Sequence, residues 1–423
     1  MIDPWGSPMR KVVAAGLAAV LGAVLAGCGG GAGDSGTSTV TMWMYPVIED
    51  QAKSRAFWDK VEKDFEAANA GIDVKVDLQP WEGRQEKVTT ALVSKKGFDL
   101  VVLGPDQIPQ YAAQGTIAPV DDVVADAKDA FRPSALAALT TDGALYGVPI
   151  YQTITSPIFD RKVFTDAGVT TLPTTWDEVK AAAPKLAANG VPVLMYPGAP
   201  ETSLNLSFYP ILWSYGGSVF APDGKSVAFN GPEGVRALQM LLDLQAAGGL
   251  PANAATLTNV IEGGPLSQGK SGFYHAAANI GAVQLGAALG PENVAVGLPI
   301  QGTKRVAFGI PGGLVLAKAS KSLEAAKKFA AYVASPEVSA ALSKESGYFT
   351  ARTDAKVEGR SATATEFEKS LEFAFPGDTH PLARQVMTLL SPEIQAALQG
   401  RKSAQQALDD AAKQADEQLA AAR

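Results

Sequence analysis

The sequence predicts an α/β protein built on a largely parallel sheet, and three observations predict it. Short β-rich runs alternate with longer segments of 3.6-residue periodicity. One strand candidate, Phe98-Asp99-Leu100-Val101-Val102-Leu103, is almost continuously apolar, as a strand covered on both faces must be. The chain has 423 residues, 47% of them apolar and 19% charged, which at roughly 150 residues per domain allows two domains or more.

The elements follow in order. Val40-Thr41-Met42-Trp43-Met44 reads as the first strand. Residues 53–69 carry Phe57, Trp58, Val61 and Phe65 at helical spacing. Residues 73–78 alternate as a second strand, 83–95 read as a helix, and 98–103 form the third strand. After Tyr146-Gly147-Val148-Pro149 the rhythm restarts. Thr175 is placed to cap a helix, with Glu178 at the spacing of a capping box. Residues 191–195 read as a short strand, and Gly231-Pro232-Glu233 opens a helix to about residue 247. The remainder is helical over 322–334, 335–343, 391–398 and 403–421. No repeat of fixed period is present.

Composition excludes several classes. One Cys forbids an intramolecular disulfide, and with only two His it leaves too few soft ligands for a structural zinc site. A net charge of −7 gives no basic footprint for nucleic acid. There is no nucleophile elbow, zinc helix or phosphate loop, so no metal, cofactor or enzymatic activity is expected. A pair of carboxylates assembled from distant segments stays open as a hydrolase alternative.

At the amino end, Met9-Arg10-Lys11 precedes an apolar run over 12–26 and then Gly27-Cys28. That order is the order of a secretory signal, residues 1–27. Leu25-Ala26-Gly27-Cys28 resembles the bacterial lipobox, which implies lipidation of Cys28 and attachment to the cell membrane on its extracytoplasmic side. The rival reading is an uncleaved anchor, for which the run is short of the ~20 residues needed to span. The Gly/Ser/Thr-rich stretch over 28–38 reads as a flexible tether.

Several segments together resemble the extracellular solute-binding proteins (family 1) of carbohydrate ABC importers. They are Tyr146-Gly147-Val148-Pro149, Phe159-Asp160-Arg161-Lys162-Val163-Phe164, Ala167-Gly168-Val169 and Pro173-Thr174-Thr175-Trp176-Asp177-Glu178. Trp213-Ser214-Tyr215-Gly216-Gly217, Gly269-Lys270-Ser271-Gly272-Phe273, Pro311-Gly312-Gly313 and Gly400-Arg401-Lys402-Ser403 continue the series in order. The resemblance implies a two-lobed periplasmic-binding-protein-like fold with discontinuous lobes, hinge crossovers and a ligand cleft between the lobes. Residues 39–152 and 301–345 would form lobe 1, and 153–300 and 346–423 lobe 2. It also implies a monomer that captures a small carbohydrate by hinge closure and delivers it to the transmembrane subunits of an ABC permease.

A sugar needs aromatic platforms for its C–H faces and hydrogen-bonding side chains for its hydroxyls. In α/β sheets such groups lie beyond the carboxyl ends of strands. Trp43 and Tyr45 end the first strand, Trp81 and Glu82 follow the second, and Asp106 and Gln107 follow the third. Each has a structural rival: Trp43 as core, Glu82 and Asp106 as helix caps. For the second lobe the resemblance points to Tyr151 and Gln152 (with Thr153) at the hinge, Asn205, Tyr209 and Asn279. Ala276-Ala277-Ala278 stands where relatives often carry an aromatic, and no aromatic lies near Met387-Thr388. That argues against a long maltodextrin and for a smaller or more polar ligand. Gly312 and Gly313 either let backbone approach ligand or relieve a crowded strand. Trp176, Trp213 and His275 read as core, and His380 lies in a loop, where a place outside the cleft is preferred to one that reaches it. The alternative ligand is a non-sugar solute, a polyamine or glycerophosphodiester, the anionic one to be met by Arg84, Arg352 or Arg384.

Overall fold

The computed structural model describes residues 37–422, so the leader, Cys28 and most of the tether lie outside the described residues. The first sheet runs Ile72–Leu78, Ser38–Met44, Leu100–Leu103, Pro311–Ala317, with Ile117–Ala118 and Val148–Gln152 both pairing on the far side of Pro311–Ala317. The first three strands are parallel, as right-handed β-α-β units require. Pro311–Ala317 is antiparallel to Leu100–Leu103, so the sheet is mixed rather than largely parallel. The reason is topological: this strand arrives from a distant part of the chain and not through a crossover helix beside its neighbour.

The helix Gln51–Ala68 starts earlier than its apolar period suggests because the Asp50 carboxylate accepts from the Lys53 N–H. It buries Ser54, Trp58, Val61 and Phe65, and Phe65 meets Phe329 of the helix Leu323–Val333 edge to face at 5.0 Å. These side chains belong to a first core drawn from residues between Val40 and Tyr151 and between Leu314 and Leu342.

A second sheet places Ser156–Asp160 between Val294–Val296 and Phe273–Ala277, all antiparallel. Both of its faces are covered. Phe159 and Phe273 point to one side, into a core with Trp176, Trp213 and the carboxy-terminal helices Ala383–Leu398 and Ala404–Ala421. Ile158 and Tyr274 point to the other, into a smaller core with Leu285 and Phe367. The capping box at Thr175 forms: its hydroxyl accepts from the Glu178 N–H at 3.1 Å, and the Glu178 carboxylate accepts from the Thr175 N–H at 3.2 Å.

Three expectations shift. Residues 191–195 make only a single bridge, Leu194 to Phe273, with Phe273 N–H donating to Val193 O and Met195 N–H to Phe273 O, while Leu194 N–H turns away to Gly249 O. Ser391-Pro392 reads as a helix start, but the helix Ala383–Leu398 runs through it. Residues 301–308, expected with the first lobe, pack with the second: Val306 lies in its core and Ala307–Phe308 pairs with Ala374–Phe375. The chain re-enters the first sheet at Pro311.

The segments joining the two bodies are held to one another by backbone. Thr153 N–H donates to Ile310 O at 2.9 Å and Thr155 N–H to Phe308 O at 2.9 Å. Gln152 and Phe349 exchange reciprocal bonds of 2.7 and 2.9 Å. Crossings of this kind can bend by small φ/ψ changes while their backbone pairing is kept, which is what a hinge needs.

Candidate functional site

The loops after the first two strands build an aromatic platform. Tyr45, 1% exposed, stacks on Trp81 with ring centroids 4.8 Å apart and planes 18° from parallel. The Arg84 guanidinium lies 4.5 Å from the Tyr45 ring centre and 5.2 Å from that of Trp81, and donates to Val102 O at 2.7 Å. Burial raises the Tyr45 hydroxyl above its ordinary pKa, and the neighbouring Arg84 charge opposes that rise. Trp81 is therefore fixed from behind by a buried ring while 44% of it stays exposed.

That exposed indole lines a hollow of about 750 Å³ between the two bodies. Its floor is hinge, Thr153, Ile154 and Phe349, and its facing wall is Asn279, Ile280 and Val283 from the start of the helix Asn279–Leu289. The Asn279 Oδ1 is buried without a hydrogen-bond partner.

A second hollow of about 500 Å³ is more polar, with Asp106, Asn205, Tyr209, Asp378, Thr388 and Arg384 on its walls. Tyr209 is 3% exposed and its hydroxyl has no partner. Its pKa is raised by burial and further by the nearby Asp378. Burial also raises the Asp378 carboxyl, which Trp213 Nε1–H, donating at 3.1 Å, holds back. Asp106 and Arg384 form an ion pair, with Nη2 and Nε 2.6 and 3.0 Å from one carboxylate oxygen. The pair joins the loop after the third strand to the helix Ala383–Leu398, that is, the first body to the second. On its other side lies a hollow of about 570 Å³ lined by Gln107, Gln110 and His380.

The structure thus brings Trp81, backed by Tyr45, and Asn279 to one hollow and Asp106, Asn205 and Tyr209 to another, with Gln107 beside the latter. It does not bring the rest there. Trp43 packs on Phe98 at 4.9 Å, on the sheet face away from buried Met42 and Met44. Glu82 is exposed and lines none of these hollows. Tyr151 and Gln152 are buried in the hinge, and burial raises the Tyr151 hydroxyl. Gly312 is needed for that ring: a Cβ there would stand 2.2 Å from the Tyr151 ring, so crowding explains this glycine. His275 is a core residue whose Nε2 donates to Ser207 O at 2.8 Å, and burial lowers its pKa to about 4. His380 lines the third hollow, stacked on Phe220 at 4.4 Å, with its pKa lowered by burial. Arg352 is tied to Asp354 at 2.7 and 2.8 Å and lies over Phe131.

Sequence reasoning missed Ile280 and Val283, and it did not pair Arg384 with Asp106. Nothing in the spacing marked the first two, because the helix Asn279–Leu289 is apolar on nearly every side. Among the described residues no group of His, Cys, Asp and Glu is arranged to hold a metal ion, and no helix is long and apolar enough to cross a membrane.

Two bodies joined by a paired ribbon, with hollows between them, are the fold of the two-lobed periplasmic-binding class. Residues 49–340 match the family model described as bacterial extracellular solute-binding protein, and the chain belongs to that family. It is 26% identical over 405 residues to the diacetylchitobiose binding protein DasA of Streptomyces coelicolor, covering 88% of this chain and 89% of that one. It is 31% identical over 182 residues to a binding protein of Brucella abortus (strain 2308), a match that spans 43% of this chain and only 44% of the relative. The fold is similar to that of the sugar-binding protein MalE from Xanthomonas citri, with TM-score 0.79, 21% identity and coverage of 91% and 98%.

Proposed function

We propose that the protein is the lipid-anchored substrate-binding subunit of an ABC importer, capturing a small carbohydrate between its lobes and presenting it to a membrane permease. The observation that carries the ligand class is the Trp81 platform: a half-exposed indole, backed by Tyr45 and facing a hollow between the two bodies. An aromatic face of this kind suits the C–H face of a sugar ring, and the carboxylate, amide and hydroxyl groups around Asp106 suit its hydroxyls. The relatives' sugar-binding names support the same reading. Lobe 1 is taken as residues 39–152 together with about 310–348, and lobe 2 as the remainder. Tethering through a lipid on Cys28 rests on the lipobox resemblance alone. An anionic solute is less well served, because Arg84, Arg352 and Arg384 are each engaged within the protein.

The test is differential scanning against mono- and disaccharides, with polyamines and glycerophosphodiesters in parallel. A ligand that binds only the folded state raises the melting temperature by mass action. A shift with a sugar is expected, and shifts only with the other solutes would overturn the reading.

A further inference from the structure

The hollow beside Trp81 has two chemically different sides, and a free sugar accounts for only one of them. Five large apolar side chains are exposed among the described residues: Trp81, Val93, Ile280, Val283 and Leu298. Trp81 from one body and Ile280 and Val283 from the other line this one hollow. Their helix turns Ala282 and Leu285 inward and leaves Ile280 46% and Val283 51% exposed. The hinge floor adds buried Ile154 and Phe349. The rim has the opposite character. Glu49, Lys344 and Glu345 are exposed there and hold no ion pair among the described residues. Apolar side chains concentrated in one concave place need an occupant. At about 750 Å³ the hollow has the size of a small-molecule site, and its place between two bodies admits no folded partner. A free sugar carries hydroxyls around its whole edge, and setting them against Ile280 and Val283 would strip their water with no bond in return.

We propose that the ligand is a glycoside with an apolar aglycone, and that Ile280 and Val283 form the aglycone subsite. The inference rests on the carbohydrate reading above and narrows it. The sugar ring lies over Trp81 with its hydroxyls toward the charged rim. The group carried by the anomeric oxygen lies against Ile280 and Val283, over the apolar hinge floor. A ligand with one hydrated and one apolar end thus matches a hollow with one charged and one apolar side. Because the sugar rests on one body and the aglycone on the other, only the intact glycoside joins the two, and its aglycone adds to the differential affinity that favours closure. Aryl and alkyl aglycones share this chemistry, and the experiment separates them.

Methyl, phenyl and n-hexyl glycosides of glucose, galactose, mannose and xylose, in both anomers, are titrated calorimetrically against the purified chain. For at least one sugar the phenyl or hexyl glycoside is expected to bind about tenfold more tightly than its methyl counterpart, the effect of burying ~60 Å² of apolar surface. Preference for phenyl identifies a flat aglycone, and preference for hexyl a chain. Ile280→Ser with Val283→Ser is expected to bring that ratio toward one. The methyl glycoside's affinity and the melting temperature are expected to stay, because both positions are half exposed. Val93→Ser, at an exposed apolar residue away from the hollow, is expected to change neither affinity. Methyl glycosides that bind as tightly as their counterparts, binding of free sugars alone, or a preference that survives the double substitution overturns the subsite while the carbohydrate reading stands. Self-association of wild type that the double substitution abolishes, without an aglycone preference, overturns it in favour of a second copy. Failure of every sugar and glycoside overturns both readings.

Discussion

The Asp106–Arg384 ion pair crosses from one body to the other at the place where ligand is expected, so its removal tests how closure works. The side chains are 35% and 63% exposed, so water screens them, and a pair of this kind contributes about 0.5–1 kcal/mol. In an equilibrium between open and closed lobes, 1 kcal/mol is a factor of about five. Arg384→Gln is therefore expected to lower the closed population without ligand by up to about fivefold, read as a rise in radius of gyration by small-angle scattering. Raising salt to 1 M, where the Debye length is about 3 Å, is expected to move wild type the same way and leave the variant unmoved. A cycle with Asp106→Asn separates a latch from two independent sugar contacts. If the pair acts as a unit, the double variant costs no more ligand affinity than either single one. Unchanged scattering in the variant, with salt response intact, would refute the latch.

Trp81→Ala is expected to weaken sugar binding by tenfold or more, about 1.4 kcal/mol, with little change in melting temperature, because the indole is already half exposed; titration and scanning of the same sample check both halves. Gly312→Ala drives a Cβ into the Tyr151 ring and is expected to cost about 1–3 kcal/mol in denaturant unfolding. His275 is held neutral by burial, with a pKa of about 4 against an ordinary 6.5. Its contribution is complete above pH 6.5 and is lost as pH falls toward 4, up to about 3 kcal/mol, and His275→Gln is expected to flatten that slope. Cys28→Ser is expected to shift the protein from the detergent phase to the aqueous phase in detergent partitioning of expressing cells.

How much of this was legible depends on whether a residue's role is set by near neighbours in the chain. The helix Gln51–Ala68 and the first three strands, Ser38–Met44, Ile72–Leu78 and Leu100–Leu103, were readable because one core face forces a period, and Thr175 with Glu178 because a capping box is local. Trp43 was offered as a ligand contact, although the strand's own period argues for the other reading: with Val40, Met42 and Met44 pointing inward, residue 43 faces the other way, onto Phe98. Tyr45 and Trp81, 36 positions apart, meet because parallel strands bring their carboxyl ends together. The opposite wall had no such guide. The helix Asn279–Leu289 is apolar around its whole circumference, so no period tells Ile280 and Val283 from Ala282 and Leu285. Asp106 and Arg384 are 278 residues apart and meet only because the chain crosses between the bodies and back. An enzyme constrains such meetings by the fixed geometry of a reaction, which leaves motifs in sequence. A binding cleft needs only complementary surfaces on two lobes, each free to change its side chains while the other compensates. Its first wall is therefore written in strand ends, which the fold fixes, and its second in residues whose role appears only when the two bodies are set face to face.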